Sequence, residues 1–288
     1  MLKRIYIEIS NICNLQCTFC PVVERDKKVM SLSDFKRVLS EASPLAEEVC
    51  LHLMGEPLAH PEFTKILNVC EEAGTKIQLT TNGVVIEKKA VELLNSKVIR
   101  QINFSIQAYK DNFPDRPLQS YLDPIFEFTK MAFETRPELY INYRLWNQQD
   151  SEVAAEENEE FYRMVEESFD LEVNRNIQVE SIKSKKLVNR LYLHFDSRFE
   201  WPSFDLPPQG EVGRCHALIS HIGIHADGTV VPCCLDKEAN IPLGNCLEED
   251  LVSILNSERA MAMKTGFQNN RRVEKFCQHC TFINRFSK

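Results

Sequence analysis

Glycine is scarce in this chain, nine residues in 288, about 3% and roughly half the usual share. That scarcity argues against glycine-rich phosphate loops and long flexible linkers. No stretch of about 18 uncharged apolar residues occurs, so no transmembrane helix is expected. The first residues, Met1-Leu2-Lys3-Arg4-Ile5-Tyr6-Ile7-Glu8, alternate apolar with polar and lack the continuous apolar core of a signal peptide. The expectation is a soluble, cytoplasmic chain with no membrane partner. A basic stripe is also missing, which counts against general nucleic-acid binding. Cysteine is absent from the 144 residues between Cys70 and Cys215.

What is present is uneven. The net charge is −8, yet residues 150–172 hold ten acids against the single base Arg163, a local charge of −9. The remainder is close to neutral. This segment reads as a solvated amphipathic helix with an apolar face of Val153, Phe161, Met164, Val165 and Phe169. An acidic docking surface is its alternative. Apolar residues make up 43% of the chain, enough for a core, and the length suits about two domains or a barrel with an appendage.

Between residues 3 and 147, short apolar runs alternate with helix-like segments. Strands are expected at 5–9, 48–54, 76–81, 100–106 and 139–146. Helices are expected at 31–43 with Ser31 as cap, at 61–73 ending at Gly74, at 87–94, and at 122–134 with Pro124 in the first turn. A sixth strand falls at 177–179 or 191–195. Such alternation predicts an α/β fold, a partial (β/α)6 TIM-like barrel of parallel strands. Three prolines and a glycine in residues 201–210 read as a linker. The predicted domains are therefore 1–206 and 207–288, the second a small hairpin-plus-helix unit. Its hairpin would turn at Asp227-Gly228 and its helix span 247–263.

Eleven cysteines, an odd number without an export signal, fit metal or redox chemistry better than disulfides. Cys13, Cys17 and Cys20 directly follow the first strand, where barrel loops form active sites. A C-x3-C-x2-C loop can hold three corners of a [4Fe–4S] cube and leave one iron open. Spacing alone leaves zinc as a competitor.

This loop, with Phe19 before its last cysteine, resembles the signature of the radical S-adenosylmethionine (SAM) enzymes. Gly55-Glu56-Pro57 resembles the family's Gly-Gly-Glu-Pro motif, with Met54 in place of the first glycine. Thr80-Thr81-Asn82-Gly83 and Ser105-Ile106-Gln107 resemble its third- and fourth-strand motifs, and Arg116 lies where several relatives place an arginine. The resemblance implies a catalytic [4Fe–4S] cluster on Cys13, Cys17 and Cys20. It also implies SAM held by Phe19, Gly55, Glu56, Asn82, Ser105, Gln107 and Arg116, and an electron donor such as flavodoxin or ferredoxin.

Downstream, Cys215, Cys233 and the pair Cys277 and Cys280 resemble the SPASM/Twitch auxiliary-cluster extension of the same enzymes. Six cysteines follow residue 200, too few for two further cubes, so one auxiliary [4Fe–4S] cluster on these four is the assignment. Cys234 or Cys246 could replace one of them, and zinc is the alternative metal. Cys50 and Cys70 read as core packing.

The resemblance thus implies radical cleavage of SAM, hydrogen abstraction from a small molecule or peptide, and net oxidation with an electron passed to the auxiliary cluster. An N-terminal leader-binding domain is not expected, because the first strand begins at residue 3. RNA modification and a non-catalytic iron–sulfur protein are the alternatives. Arg144, Trp146, Gln107 and Tyr109 could face substrate; no catalytic acid or base can be assigned.

Overall fold

The computed structural model describes residues 1–148, 152–177 and 183–286. In chain order, β1 is Leu2–Ile7, α1 Leu32–Ala42, β2 Ala46–Cys50, α2 Phe63–Glu72, β3 Ile77–Thr81, α3 Ile86–Asn95, β4 Ile99–Ser105, α4 Gln107–Asn112, α5 Gln119–Thr135, β5 Tyr140–Leu145 and α6 Glu152–Phe169. There follow β6 Ser184–Lys186, β7 Leu191–Phe195, β8 His221–Ile224, β9 Thr229–Val231, β10 Gly244–Asn245, α7 Leu251–Leu255, α8 Glu258–Gln268 and α9 Lys275–Gln278. Among the described residues no helix is long and apolar enough to cross a membrane.

The chain divides into two compact units: Met1–Cys13 with Pro21–Ile77 and Phe199–Lys288, and Asn14–Cys20 with Gln78–Arg198. In the first, β1 pairs in parallel with β2 on one edge and with β8 on the other. The antiparallel hairpin β8–β9 and then β10 continue the sheet from there. The tail hairpin therefore covers an edge of β1 that would otherwise expose a row of unpaired backbone groups. Its turn is where Gly228 is needed, at φ +88°. Ser31 caps α1 by accepting from the Asp34 backbone N–H at 3.1 Å. The spacing of Phe35, Val38, Leu39 and Ala42 turns one buried stripe to the core. The backbone N–H of Leu251, at the start of α7, donates to the Glu41 carboxylate of α1, tying tail to helix.

In the second unit the strand order is β3-β4-β5-β7-β6. β4, β5 and β7 run parallel, and β6 is a short antiparallel edge carrying Lys185 and Lys186. One face of β5 and β7 is apolar: Ile141, Tyr143, Leu145, Leu191, Leu193 and Phe195 are buried. Phe126 of α5 and Phe161 of α6 pack on Tyr143 from that side.

Several expectations shift. The sixth parallel strand is at 191–195; residues 178–179 of the other candidate lie outside the described residues. The helix expected at 122–134 starts three residues earlier, burying Tyr121 and placing Pro124 beyond its first turn. The single helix expected at 247–263 is two, because Ser257 starts α8 afresh by accepting from the Ala260 N–H at 3.3 Å. In α6, Val153 is 64% exposed rather than buried. Asn158 is buried instead, exchanging two side-chain hydrogen bonds of 3.2 Å with Asn147.

Candidate functional site

In the first unit, the chain leaves β1 through Glu8, Ser10 and Asn11, all buried, and reaches Cys13. Gly55, at φ +75°, packs its backbone against this exit. A Cβ there would lie 2.3 Å from the Ser10 carbonyl oxygen and 2.9 Å from that of Ile12, so no other residue fits. The next N–H, of Glu56, donates to the Ile12 carbonyl at 3.0 Å. The Glu56 carboxylate turns inward, accepts from the Leu58 N–H at 3.0 Å and caps the short 3-10 helix Pro57–Ala59.

Glu8 is the hub of this region. It accepts two bonds of 3.0 Å from Arg25, one of 3.3 Å from the Met54 N–H and one of 3.2 Å from the Ala226 N–H. Burial pushes its carboxyl above the usual carboxylate range, and Arg25 opposes that shift. Arg25 also donates from its backbone to Glu238 at 3.1 Å and from its side chain to the Lys237 carbonyl at 2.5 Å. Lys237 in turn donates to the Val22 carbonyl at 2.8 Å. The segment after Cys20 is thereby strapped to the segment after Cys233 and Cys234.

In the second unit, the loop of Cys17 and Cys20 is held by the end of α4. Asn112 accepts from the Gln16 N–H at 2.8 Å and donates to the Cys17 sulfur at 3.1 Å. Asp111 accepts from the Thr18 N–H and, at 2.6 Å, from its hydroxyl. The Cys17 thiol is lowered, first by its hydrogen bond with Cys20 and also by that with Asn112, against burial. Asn82 donates to Asn14 at 2.7 Å and accepts from the Val84 N–H at 3.0 Å, while the Tyr121 hydroxyl donates to its carbonyl. Arg198 lies 5.6 Å from the centre of the Phe19 ring and 3.7 Å from Asp111.

Ser105 ends β4 in register with Arg144, and Gln107 opens α4 with its side-chain oxygen buried and accepting no hydrogen bond among the described residues. Arg116 is exposed, its guanidinium 4.4 Å from the Phe113 ring centre. Tyr109 is taken up in the core, stacked on Tyr121 at 4.3 Å with planes 5° apart. Sequence reasoning missed Asp111 and Asn112. Their only signal is a polar pair a few residues beyond a strand end.

The tail thiols form a second set. Cys215, Cys233, Cys277 and Cys280 all have raised pKa values, first through burial. Charge on Cys234, then on Cys215 and Cys277, raises Cys233, and charge on Cys215 and Cys280 raises Cys277, so these five thiols, Cys234 included, lie within electrostatic reach of the group. Among the described residues no three His, Cys, Asp or Glu side chains converge on a single-ion position. Cys50, Cys70 and Cys246 are fully buried; Cys246 donates to the Gly228 carbonyl at 3.2 Å and burial pushes its pKa up to about 12. The paired thiols Cys17 and Cys20, and the tail thiols within one another's electrostatic reach, are soft donors of the kind iron–sulfur clusters take.

An α/β protein with a mostly parallel sheet, a cysteine loop after its first strand and clustered tail thiols is the class these features define. Comparison with known proteins agrees: the radical SAM superfamily model matches residues 7–145, and the SPASM iron–sulfur cluster-binding domain matches residues 215–281. The chain belongs to the radical SAM superfamily and carries a SPASM-type cluster domain towards its C-terminus.

Among curated relatives, a tungsten-containing aldehyde ferredoxin oxidoreductase cofactor-modifying protein of Pyrococcus furiosus is 26% identical over 109 residues, 36% of this chain and 31% of that protein. A PqqA peptide cyclase of Bradyrhizobium diazoefficiens is 25% identical over 115 residues, 39% and 30% of the two. The chain thus matches about a third of the length of these relatives. Among solved structures, BtrN in complex with AdoMet and 2-DOIA is 15% identical with TM-score 0.63, over 98% of this chain and 93% of that one. SuiB of Streptococcus suis bound to precursor peptide SuiA is 18% identical with TM-score 0.64, over 100% and 73%. These likenesses carry the fold, that of radical SAM enzymes with TIM-like barrels.

Proposed function

We propose that this chain reductively cleaves SAM and uses the resulting 5′-deoxyadenosyl radical to take hydrogen from a small-molecule or peptide substrate. Net oxidation of the substrate completes the reaction. Cys13, Cys17 and Cys20 would hold the catalytic [4Fe–4S] cluster, which together with SAM and one low-potential electron supplies that radical. By the family motifs they match, Phe19, Gly55, Glu56, Asn82, Ser105, Gln107 and Arg116 would bind SAM. Asp111 and Asn112 hold the backbone of the cysteine loop, and Gly55 lets two backbone segments pack in contact. Both are forms of pre-organisation.

The observation that carries the oxidation is the second thiol set. Cys215, Cys233, Cys277 and Cys280, as four protein ligands, would leave no iron open to substrate. That fits residues 207–288 for taking up the electron left after hydrogen abstraction, and residues 1–206 for SAM chemistry. The electron donor would be a flavodoxin or ferredoxin, and the compartment the reducing cytoplasm.

The test is anaerobic incubation of the reconstituted chain with SAM and dithionite, reading 5′-deoxyadenosine. Cys17→Ala should abolish its formation. Cleavage that survives Cys17→Ala, or none in the unsubstituted chain, would overturn the reading.

A further inference from the structure

Parallel pairing in the second unit sets three side chains in one row at the ends of neighbouring strands. Ser105 of β4 is in register with Arg144 of β5, and Arg144 with His194 of β7. Neighbouring strands lie about 4.8 Å apart, so the row extends from the expected SAM residue Ser105 across two further strands. All three are half-buried, on the face opposite the apolar one. The row beneath is Asn103, Asn142 and Tyr192.

The row is closely held. Arg144 donates to the Thr80 hydroxyl at 3.2 Å, and its guanidinium lies 4.8 Å from the centre of the Trp146 ring. Trp146 donates its indole N–H to Nδ1 of His194 at 2.9 Å. An indole nitrogen only donates, so Nδ1 must accept and a neutral His194 carries its proton on Nε2. Burial and the nearby Arg144 hold His194 neutral, at a pKa of about 4. Of the charged groups felt by His194, Asp196 is ion-paired with Lys183 at 3.0 Å. The described residues of these two rows include no carboxylate.

A fixed cation beside a neutral N–H donor, with amides and a hydroxyl beneath and no acid in either row, suits an oxyanion and disfavours an ammonium group. We propose that Arg144 and His194 anchor an anionic group of the substrate, a carboxylate or a phosphate, with Trp146 as the positioning residue that fixes the histidine tautomer. This rests on the radical SAM reading for the claim that the bound anion belongs to the substrate.

The test uses the full reconstituted chain carrying Trp201→Phe, which leaves Trp146 as its single tryptophan. Its emission is followed while succinate, inorganic phosphate, uncharged myo-inositol or cationic ethylamine is added at constant ionic strength. A saturable change with succinate or phosphate is expected, and whichever binds tighter names the anion. Inositol and ethylamine should give none. Arg144→Gln should weaken the response at least tenfold, Arg144→Lys less, and His194→Phe severalfold, with folding of each checked by circular dichroism. An equal response to inositol or ethylamine, or undiminished anion binding by Arg144→Gln, would overturn the proposal. Measuring 5′-deoxyadenosine on the same samples separates the two ideas: cleavage without an anion response sinks this inference alone, and an anion response without cleavage sinks the radical reading.

Discussion

Asn112 donates its side-chain amide to the Cys17 sulfur at 3.1 Å and accepts the Gln16 backbone N–H at 2.8 Å, so the six-residue helix α4 holds the loop of the cysteine proposed to carry the catalytic cluster. Asn112→Ala removes both bonds and a third to the Ala108 carbonyl. At about 1 kcal/mol net for each of the two bonds to the cysteine loop, SAM cleavage should fall about thirtyfold while the iron of the tail is retained. Cleavage equal to that of the unsubstituted chain would show that the loop orders itself without α4.

Two glycines with left-handed backbone should respond differently to alanine. Gly55→Ala drives a Cβ to 2.3 Å from the Ser10 carbonyl, whereas at Gly74, φ +62°, nothing lies within 4 Å. Gly74→Ala should cost only the conformational penalty, about 1–2 kcal/mol. Gly55→Ala should cost more than about 4 kcal/mol, or prevent folding. Thermal denaturation of the two variants distinguishes these.

His225 is buried and His221 half-buried, and both are held neutral, each with a pKa of about 4, first through desolvation. Unfolded, they would take up protons near pH 6.5, so between about pH 6.5 and 4 the unfolded state binds more protons than the folded one. Their contribution to stability is therefore complete above pH 6.5 and is lost as pH falls towards 4, by roughly 1–3 kcal/mol for each histidine. His225→Phe should flatten the decline of melting temperature between pH 7 and 5.5. An unchanged slope would assign the acid sensitivity elsewhere.

The buried thiols should separate from the ligands by iron content. Cys246→Ala and Cys70→Ala remove fully buried side chains and should lower stability by about 1–2 kcal/mol with no loss of iron. Cys233→Ala should lose the tail iron, and Cys234→Ala should keep it. Iron loss in Cys246→Ala would move the fourth ligand there.

The sequence made local features legible. The Ser31 cap, the alternation of strands and helices and the Asp227-Gly228 turn all depend on neighbouring residues. Three features were less accessible. Helix α4 is too short for a periodic pattern to emerge, so its grip on the cysteine loop was missed. The pairing of β8 with β1 joins segments more than two hundred residues apart and leaves no mark in either. The break between α7 and α8 was marked only by Asn256-Ser257, a cap signal overridden by an otherwise continuous pattern. Tyr109 illustrates the same limit: only the folded chain brings it against Tyr121.

The central claim, one catalytic and one auxiliary cluster, is tested most directly by measuring iron, sulfide and zinc per chain after anaerobic reconstitution, in the unsubstituted chain and in Cys277→Ala. The account predicts about eight irons and eight sulfides, falling to about four of each in Cys277→Ala, which should still cleave some SAM but form no oxidised product. About four irons with one zinc in the unsubstituted chain would make the tail a structural metal site and contradict its role as electron acceptor.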